Sequence, residues 1–245
     1  IYIETPSNPL LKLVDIFAIA KLAKNHQIIT AADNTFASPI IQNPIDLGID
    51  IVIHSATKYF GGHSDISAGA VASSQEIMDK IWDLAKDFGG NLSDYTVWLL
   101  ERSMKTLGIR VKAQQRNAKR LAKYLEKHAA IKTVYYPGLK SSEYHSLAKI
   151  QMKGYGAMLS FELKYRFDSE KFLKALTLIK PSMSLAGVES TMLLPSKTSH
   201  SLLSVSDQAA QGITDQLIRF SVGIETAKDL IKDIEQAISA SNLKK

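Results

Sequence analysis

The chain has 245 residues and a formal net charge of +6, and its length suffices for one large domain or two modest ones. It contains no cysteine, which excludes disulfides, thiolate catalysis and zinc–thiolate sites and is compatible with a cytoplasmic protein. No apolar run approaches the roughly 20 residues of a membrane span, and no signal-peptide pattern opens the chain.

The excess positive charge lies mainly on predicted helix faces, such as residues 110–127, and in the tail Lys244–Lys245. Lysines there are not interleaved with aromatic residues, as they are in nucleic-acid surfaces. We therefore expect solvated helix faces, with neither nucleic acid nor membrane as a partner. A basic binding module stays open as an alternative, because net charge alone is a weak indication.

Predicted strands and helices alternate through the first half of the chain. Asp15 is the expected N-cap of the helix Ile16–Asn25, and the spacing of the strands suits right-handed βαβ crossovers, which indicates an α/β fold. The predicted elements are strands at 1–4, 27–32, 51–53 and 66–72, a helical turn at 46–49, and helices at 16–25, 75–88, 96–107 and 110–128.

The second half mixes strands and helices in the manner of an α+β domain. Its predicted elements are strands at 133–136, 156–163 and 217–222 and helices at 144–151, 169–178 and 226–240. The long helix at 110–128 is the expected connector between the halves. We therefore predict two domains, 1–112 and 113–245.

The stretch 51–63 carries the clearest chemistry. A short apolar run ends at Ser55 and Thr57, and Lys58 follows directly. Desolvation at the end of a buried strand lowers the pKa of a lysine and exposes the neutral amine that a nucleophile or Schiff-base former needs. Small hydroxyls suit a phosphate group, and the combination is what pyridoxal 5′-phosphate (PLP) requires. A surface lysine in a Ser/Thr-rich loop would show the same pattern.

Polar residues also close the first two predicted strands. Asn8 lies between two prolines after the first strand, and Asp33 ends the second. Ligands of α/β folds bind at the carboxyl ends of the strands, and a carboxylate such as Asp33 can face a positively charged ligand nitrogen. Each residue alone is an ordinary loop residue, but three adjacent strand ends with complementary chemistry indicate a site.

Arg219 lies inside a predicted apolar strand and has two interpretations. Alternation puts it on the same face as Ser221, and this pattern favours exposure to solvent. The alternative is a bidentate clamp on a substrate carboxylate.

Several ordered motifs together resemble those of the Cys/Met-metabolism PLP enzymes, which include cystathionine γ-synthase, the cystathionine lyases and methionine γ-lyase. The motifs lie at residues 4–9, 33–36, 55–65, 105–107, 136–139 and 219–225. The resemblance implies the fold-type-I, aspartate-aminotransferase-like fold and a homotetramer built from dimers. Residues 1–112 would then be the C-terminal part of the large PLP-binding domain, and 113–245 the small C-terminal domain.

The resemblance also implies a role for each candidate residue. Lys58 would hold PLP as an internal aldimine and shuttle protons, while Asp33 would face the pyridine nitrogen. Arg219 would bind the substrate carboxylate, which reverses the preference for solvent. The remaining implied contacts are Asn8 with the cofactor's phenolic oxygen and the substrate, Ser55 and Thr57 with the phosphate, and Ser184 with the substrate carboxylate. No metal site is expected.

The implied function is PLP-dependent β- or γ-elimination, or γ-replacement, in sulfur amino acid metabolism, with cystathionine, methionine or O-acylhomoserine as the substrate. Another fold-type-I PLP enzyme, such as an aminotransferase, stays open as an alternative. A further alternative is an inactive fragment or degenerate homologue, because Ile1–Ile3 already has the pattern of a core strand and no initiator methionine precedes it.

The sequence departs from the family pattern in three ways. The family's glycine-rich phosphate turn, its ring-stacking tyrosine and the tyrosine and arginine lent by a neighbouring subunit all precede the matching region, so weak PLP binding is expected if the molecule begins at Ile1. The family's Ser-Leu-Gly-Gly loop is here Ser184-Leu185-Ala186-Gly187. Many of the cystathionine γ-enzymes that this chain resembles have a glutamate at the position of Met183. The methionine argues against a strict cystathionine γ-lyase.

Overall fold

The computed structural model describes residues 1–243, and the basic tail Lys244–Lys245 lies outside the described residues. The elements in chain order are β1 (Tyr2–Glu4), α1 (Ile16–Asn25), β2 (Ala31–Asp33), β3 (Ile51–Ser55), β4 (Gly69–Ser73), α2 (Gln75–Phe88), α3 (Asp94–Met104), α4 (Leu107–Glu126), β5 (Ile131–Tyr135), α5 (His145–Gln151), β6 (Met158–Leu163), α6 (Ser169–Ala175), β7 (Lys180–Pro181), β8 (Thr191–Leu193), α7 (Val205–Ala210), β9 (Leu217–Ser221) and α8 (Ala227–Ser241).

The first sheet has the strand order β1-β2-β3-β4. The first three strands are parallel, so that Glu4 pairs with Asp33 and Asp33 with Ile53, whereas β4 runs antiparallel to β3. Parallel strands bring their carboxyl ends to one edge of the sheet. The register therefore places the three predicted strand ends side by side at one edge of the first sheet.

The second sheet has the strand order β5-β6-β9-β8-β7. Its central strands, β6 and β9, are buried along their whole length. The main hydrophobic core joins this sheet to the inner faces of α4 and α8, as shown by the buried side chains of Leu121, Phe220 and Ile234. Burial of both faces removes the alternation of polar and apolar residues that an exposed sheet face would show.

Local sequence patterns predicted several elements well. Helices α1 and α2 begin and end where the periodicity places them, and Asp15 caps α1 by accepting a hydrogen bond from the backbone N–H of Ala18 over 3.0 Å. Ser93 caps α3 in the same way through Thr96. Side-chain acceptors at these positions satisfy backbone donors that the helix itself leaves free.

Other predictions were wrong in their bounds or missed an element. Strand β2 begins at Ala31 rather than residue 27, because Gln27 adopts a left-handed φ of 54° that ends the preceding turn. Three short elements, β7, β8 and α7, were not predicted. The predicted domain boundary falls inside α4, and the division into two domains stays a prediction. Across residues 1–243 no helix has the length and apolar character to cross a membrane.

Candidate active site

The three parallel strand ends are joined by hydrogen bonds into one surface. The N–H of Thr5 donates to the carbonyl of Asp33 over 3.1 Å, and the N–H of Asn34 donates to the carbonyl of Ile53 over 3.0 Å. The N–H of Ser55 donates to Thr35 Oγ1 over 2.8 Å. The edge that carries the predicted residues is therefore held by backbone hydrogen bonds and by the hydroxyl of Thr35.

Lys58 lies in the turn that follows β3, where its N–H donates to the carbonyl of Ser55 over 3.0 Å. Its side chain is partly buried. Burial, and secondly the positive charge of Arg219, lower the pKa of Lys58 below its usual value, as the sequence predicted. Within residues 1–243 no carboxylate forms an ion pair with it. Lys58 thus has the properties of a reactive amine.

Arg110 of α4 fixes the turn that carries Lys58 through hydrogen bonds to its backbone. The guanidinium donates to the carbonyl of Tyr59 over 2.8 Å and to that of Phe60 over 3.2 Å. Gly62 adopts a φ of +70°, and a Cβ at this position would lie 1.9 Å from Arg110 Nη1. Glycine is therefore required at residue 62, both by the backbone conformation there and by the close approach of the arginine.

Asp33 ends the middle strand of the three. Its Oδ1 accepts a hydrogen bond from the N–H of Thr35 over 2.9 Å. Its Oδ2 has no hydrogen-bond partner among residues 1–243, and the side chain is half-buried. A carboxylate with one oxygen anchored and the other free can accept a hydrogen bond from a protonated nitrogen of a ligand.

The two predicted phosphate ligands differ in availability. Thr57 Oγ1 donates to the carbonyl of Ala68 over 3.2 Å and accepts from the N–H of Ala68 over 2.9 Å. Because a hydroxyl has a single proton, Thr57 has to give up a backbone bond before it can donate to a phosphate. The Ser55 hydroxyl has no protein partner within the described part of the chain and is the freer donor.

Arg219 is buried, with only 3% of its surface exposed, so the preference for solvent derived from alternation is wrong. The strand residue that pairs with it, Ser160, donates its hydroxyl to the carbonyl of Pro9 over 2.6 Å. The loop after β1 thus covers the face of the second sheet that carries Arg219. Alternation could not reveal this cover, because it comes from a distant part of the chain.

The guanidinium of Arg219 is only partly satisfied by the protein. It donates to Asn8 Oδ1 over 3.3 Å and to the carbonyl of Met183 over 3.0 Å. Burial lowers the pKa of Arg219 to about 10. No carboxylate pairs with it in residues 1–243, although an arginine carries five N–H donors. A buried cation that lacks a counter-charge suits an anionic ligand.

Ser184 lies close to Ser64, from the segment after β3, and to Glu189 of its own loop, and sequence analysis gave neither residue a role. The hydroxyls of Ser184 and Ser64 are 3.3 Å apart, and Ser64 donates to Glu189 Oε1 over 2.7 Å. In the sequence, the nearness of Glu189 to Ser184 was the one feature that could have indicated a role for this glutamate. Ala186 adopts a φ of 64°, a conformation that favours the glycine found there in the family motif.

His200 was also missed. Burial is the main cause that lowers its pKa, the charge of Arg219 lowers it further, and a hydrogen bond with the backbone of Asn8 acts in the opposite direction. His200 therefore lies beside Asn8 and Arg219, although it belongs to neither sheet and precedes Arg219 by 19 positions in the chain. Its position at the end of a Ser/Thr-rich loop offers no recognisable sequence pattern.

These residues fit PLP. The half-buried amine of Lys58, the free oxygen of Asp33 and the free hydroxyl of Ser55 match the aldehyde, the pyridine nitrogen and the phosphate of the cofactor. The unpaired guanidinium of Arg219 matches the carboxylate of an amino acid. Asn8 accepts a hydrogen bond from Arg219 and thereby connects the residues that match the cofactor with the arginine that matches the substrate.

Comparison with known proteins leads to one family. A family model described as "Cys/Met metabolism PLP-dependent enzyme" matches residues 1–239. The cystathionine beta-lyase of Lactococcus lactis subsp. cremoris is 46% identical over 239 residues, which are 97% of this chain and 63% of the relative. The cystathionine gamma-lyase of Bacillus subtilis is 45% identical with the same coverage.

A solved structure shows the same fold. The cystathionine gamma-lyase from Lactobacillus plantarum, complexed with L-serine, superposes with a TM-score of 0.96 at 43% identity. The match covers 98% of this chain and 63% of that structure, so the chain spans less than two thirds of these relatives. The likeness confirms the α/β, fold-type-I class expected from the motifs.

Proposed function

Since the chain belongs to the Cys/Met metabolism PLP-dependent enzyme family, and PLP is therefore its cofactor, we propose that it acts in trans-sulfuration. The reaction is a β- or γ-elimination, or a γ-replacement, on a sulfur amino acid or on O-acylhomoserine. The observation that carries the proposal is the unpaired, partly buried amine of Lys58, which lies near enough to the buried guanidinium of Arg219 for that positive charge to lower the pKa of the amine.

PLP, when bound, supplies an electron sink that stabilises negative charge on the α-carbon of an amino acid. The chain's own residues supply positioning and proton transfer. Lys58 Nζ, with its lowered pKa, accepts the proton from the α-carbon and later returns it. Asp33 Oδ2 keeps the ring nitrogen protonated through its negative charge.

Arg219 and its neighbours orient the substrate. The guanidinium binds the substrate carboxylate, and Asn8 Oδ1 holds the guanidinium in place. The hydroxyl of Ser184 contributes a further donor from the opposite loop. Because Arg219 is buried, the pairing forms away from bulk water, where charge-assisted hydrogen bonds are stronger.

The choice of substrate lies among cystathionine, methionine and O-acylhomoserine. The relatives support a lyase on cystathionine, but one is named a beta-lyase and another a gamma-lyase. The residue Met183 is 62% exposed, and its own backbone carbonyl accepts a hydrogen bond from Arg219. The alternative of an inactive fragment or degenerate homologue receives no support from these relatives, which are named as enzymes.

A homotetramer and a cytoplasmic location belong to the same proposal. The apolar surface of α2 and α3 supports self-association, because α2 has no buried residue and Trp82, Phe88 and Trp98 are exposed. Exposed apolar surface of this kind is typical of an interface. Light scattering on the purified chain tests the assembly, with four chain masses as the expected result.

The Schiff-base role of Lys58 is tested on the 245-residue chain with added PLP. We expect a yellow protein with an imine absorbance band, and borohydride reduction followed by peptide mapping should find the label on Lys58. Lys58→Ala should lose both, while Lys24→Ala, an exposed lysine on α1, should keep both. An imine band that persisted in Lys58→Ala would refute the role.

Product analysis tests the reaction. Incubation with cystathionine, methionine and O-acylhomoserine should release pyruvate or 2-oxobutyrate together with ammonia and, for the first two, a thiol. Transfer of the amino group to a 2-oxo acid without release of ammonia would identify an aminotransferase instead.

A further inference from the structure

Helix α4 carries a continuous stripe of positive charge on one face. The residues recur at intervals of three and four, which places them on the same side of the helix over about 22 Å. The stripe consists of Lys112, Arg116, Lys119, Arg120 and Lys123 on the helix and Lys127 at its C-cap. Like charges at this spacing destabilise a helix, so the arrangement is unfavourable unless anions approach it.

The stripe forms one wall of two adjoining cavities, which we call the basic groove. The cavities have volumes of about 460 and 520 Å³, and Lys119, Lys123 and Tyr155 line both of them. The opposite wall contributes Lys140, Lys149 and Lys153. Each volume falls within the range of roughly 300–1,000 Å³ that is common for small-molecule sites.

The floor of the groove is held against α4 by a close backbone approach. Gln115 Oε1 accepts from the N–H of Tyr155 over 2.6 Å and from the N–H of Gly156 over 3.3 Å. A Cβ on Gly154 would lie 2.0 Å from Gln115 Oε1. A side chain at residue 154 would displace the Gln115 amide from the position in which it accepts these two hydrogen bonds.

The cations of the groove lack counter-charges. None of the nine basic residues forms an ion pair in residues 1–243. The acidic residue that lines the groove is Glu126, which accepts a hydrogen bond from the hydroxyl of Ser141. Such a concave, uncompensated surface concentrates the field and attracts anions.

We propose that the basic groove binds a small molecule with several adjacent phosphate groups, separately from the PLP site. Adjacent phosphates place enough charge on a short span to meet cations from both walls, and the arginine forks match phosphate oxygens. Tyr155 is stacked on His145 with ring centroids 5.5 Å apart. The groove offers few aromatic side chains besides these two, which favours a compact ligand over a nucleic-acid strand.

Titration calorimetry on the full chain tests the proposal, with ATP and inorganic tripolyphosphate as probes and AMP and inorganic phosphate as references. Both probes should bind at least about tenfold more tightly than the references and should weaken steeply as salt rises. Stronger binding of ATP would indicate a nucleoside polyphosphate, and equal binding an inorganic phosphate chain; either result supports the groove.

Variants locate the site. Lys119→Ala/Lys123→Ala should weaken both probes at least about tenfold, whereas Lys21→Ala/Lys24→Ala on α1, with the same change of charge, should leave their affinity unchanged. Circular dichroism checks that both variants are folded. The proposal fails if neither probe saturates, if both double variants lose affinity equally, or if a single-stranded RNA binds more tightly than both probes.

Discussion

Two buried arginines in this molecule have opposite surroundings. Arg110 is 5% exposed and donates to the carbonyls of Tyr59, Phe60 and Ser103 and to Thr106 Oγ1. Arg219 is 3% exposed and has two acceptors within residues 1–243, Asn8 Oδ1 and the carbonyl of Met183.

The difference separates a structural cation from one that is ready for a ligand. Burial lowers the pKa of both guanidinium groups. Arg110 recovers the lost hydration through bonds with its own chain and thereby fixes the turn that carries Lys58. Arg219, on the central strand β9 of the second sheet, keeps unsatisfied donors, and a substrate carboxylate can satisfy them. Burial alone does not identify a functional arginine; the number of acceptors around it does.

The largest expected effect on stability is that of Arg110→Met. We expect the free energy of unfolding to fall by about 3 kcal/mol, because the buried carbonyls of Tyr59 and Phe60 lose their donor, whereas that of Ser103 still accepts from Thr106. Urea denaturation followed by circular dichroism measures it. Arg102→Met, on the exposed face of α3, is the control and should change the value by less than about 0.5 kcal/mol. An Arg110→Met protein as stable as the wild type would remove the structural half of the comparison.

Arg219→Met should have the opposite profile. The free energy of unfolding should change by less than about 1 kcal/mol, since a buried cation without a counter-charge contributes little to stability. The kcat/KM for the sulfur amino acid substrate should fall about 70-fold, or about 2.5 kcal/mol, through loss of a charge-assisted contact. Arg219→Lys, which keeps the charge but not the fork, should recover part of the loss. Destabilisation as large as that of Arg110→Met would make Arg219 structural.

The smallest expected effect concerns pH and Lys58. Its folded-state pKa lies below the ordinary 10.5, so between the two values the unfolded chain binds a proton that the folded chain has released. Stability from this group therefore rises with pH through that window. Lys58→Met removes the effect, and its advantage over the wild type should shrink as pH rises. Tyrosines such as Tyr135, whose burial raises the pKa to about 12, act equally in both proteins.

Unfolding measured at several alkaline pH values checks this dependence. Lys24→Met serves as the reference, and its difference from the wild type should stay constant. A constant difference for Lys58→Met as well would show that Lys58 titrates like a solvated lysine.

Local patterns predicted what local physics controls. The helix Ile16–Asn25 follows from apolar spacing and an Asp15 cap, and β3 follows from a β-branched run, because these signals act within a few residues. The short strands β7 and β8, at Lys180–Pro181 and Thr191–Leu193, carry no such pattern. They exist because β9 offers its edge to β8, and β8 in turn to β7.

By itself the sequence determined the α/β class, the family resemblance and the identity of Lys58, Asp33 and Asn8 as strand-end candidates, because strand ends and their residues are local properties. Only the tertiary structure decided that Arg219 is buried, that Thr57 is engaged by Ala68, and that a basic groove faces α4. Those properties depend on side chains from distant segments, and no short stretch of sequence contains the information that sets their solvation.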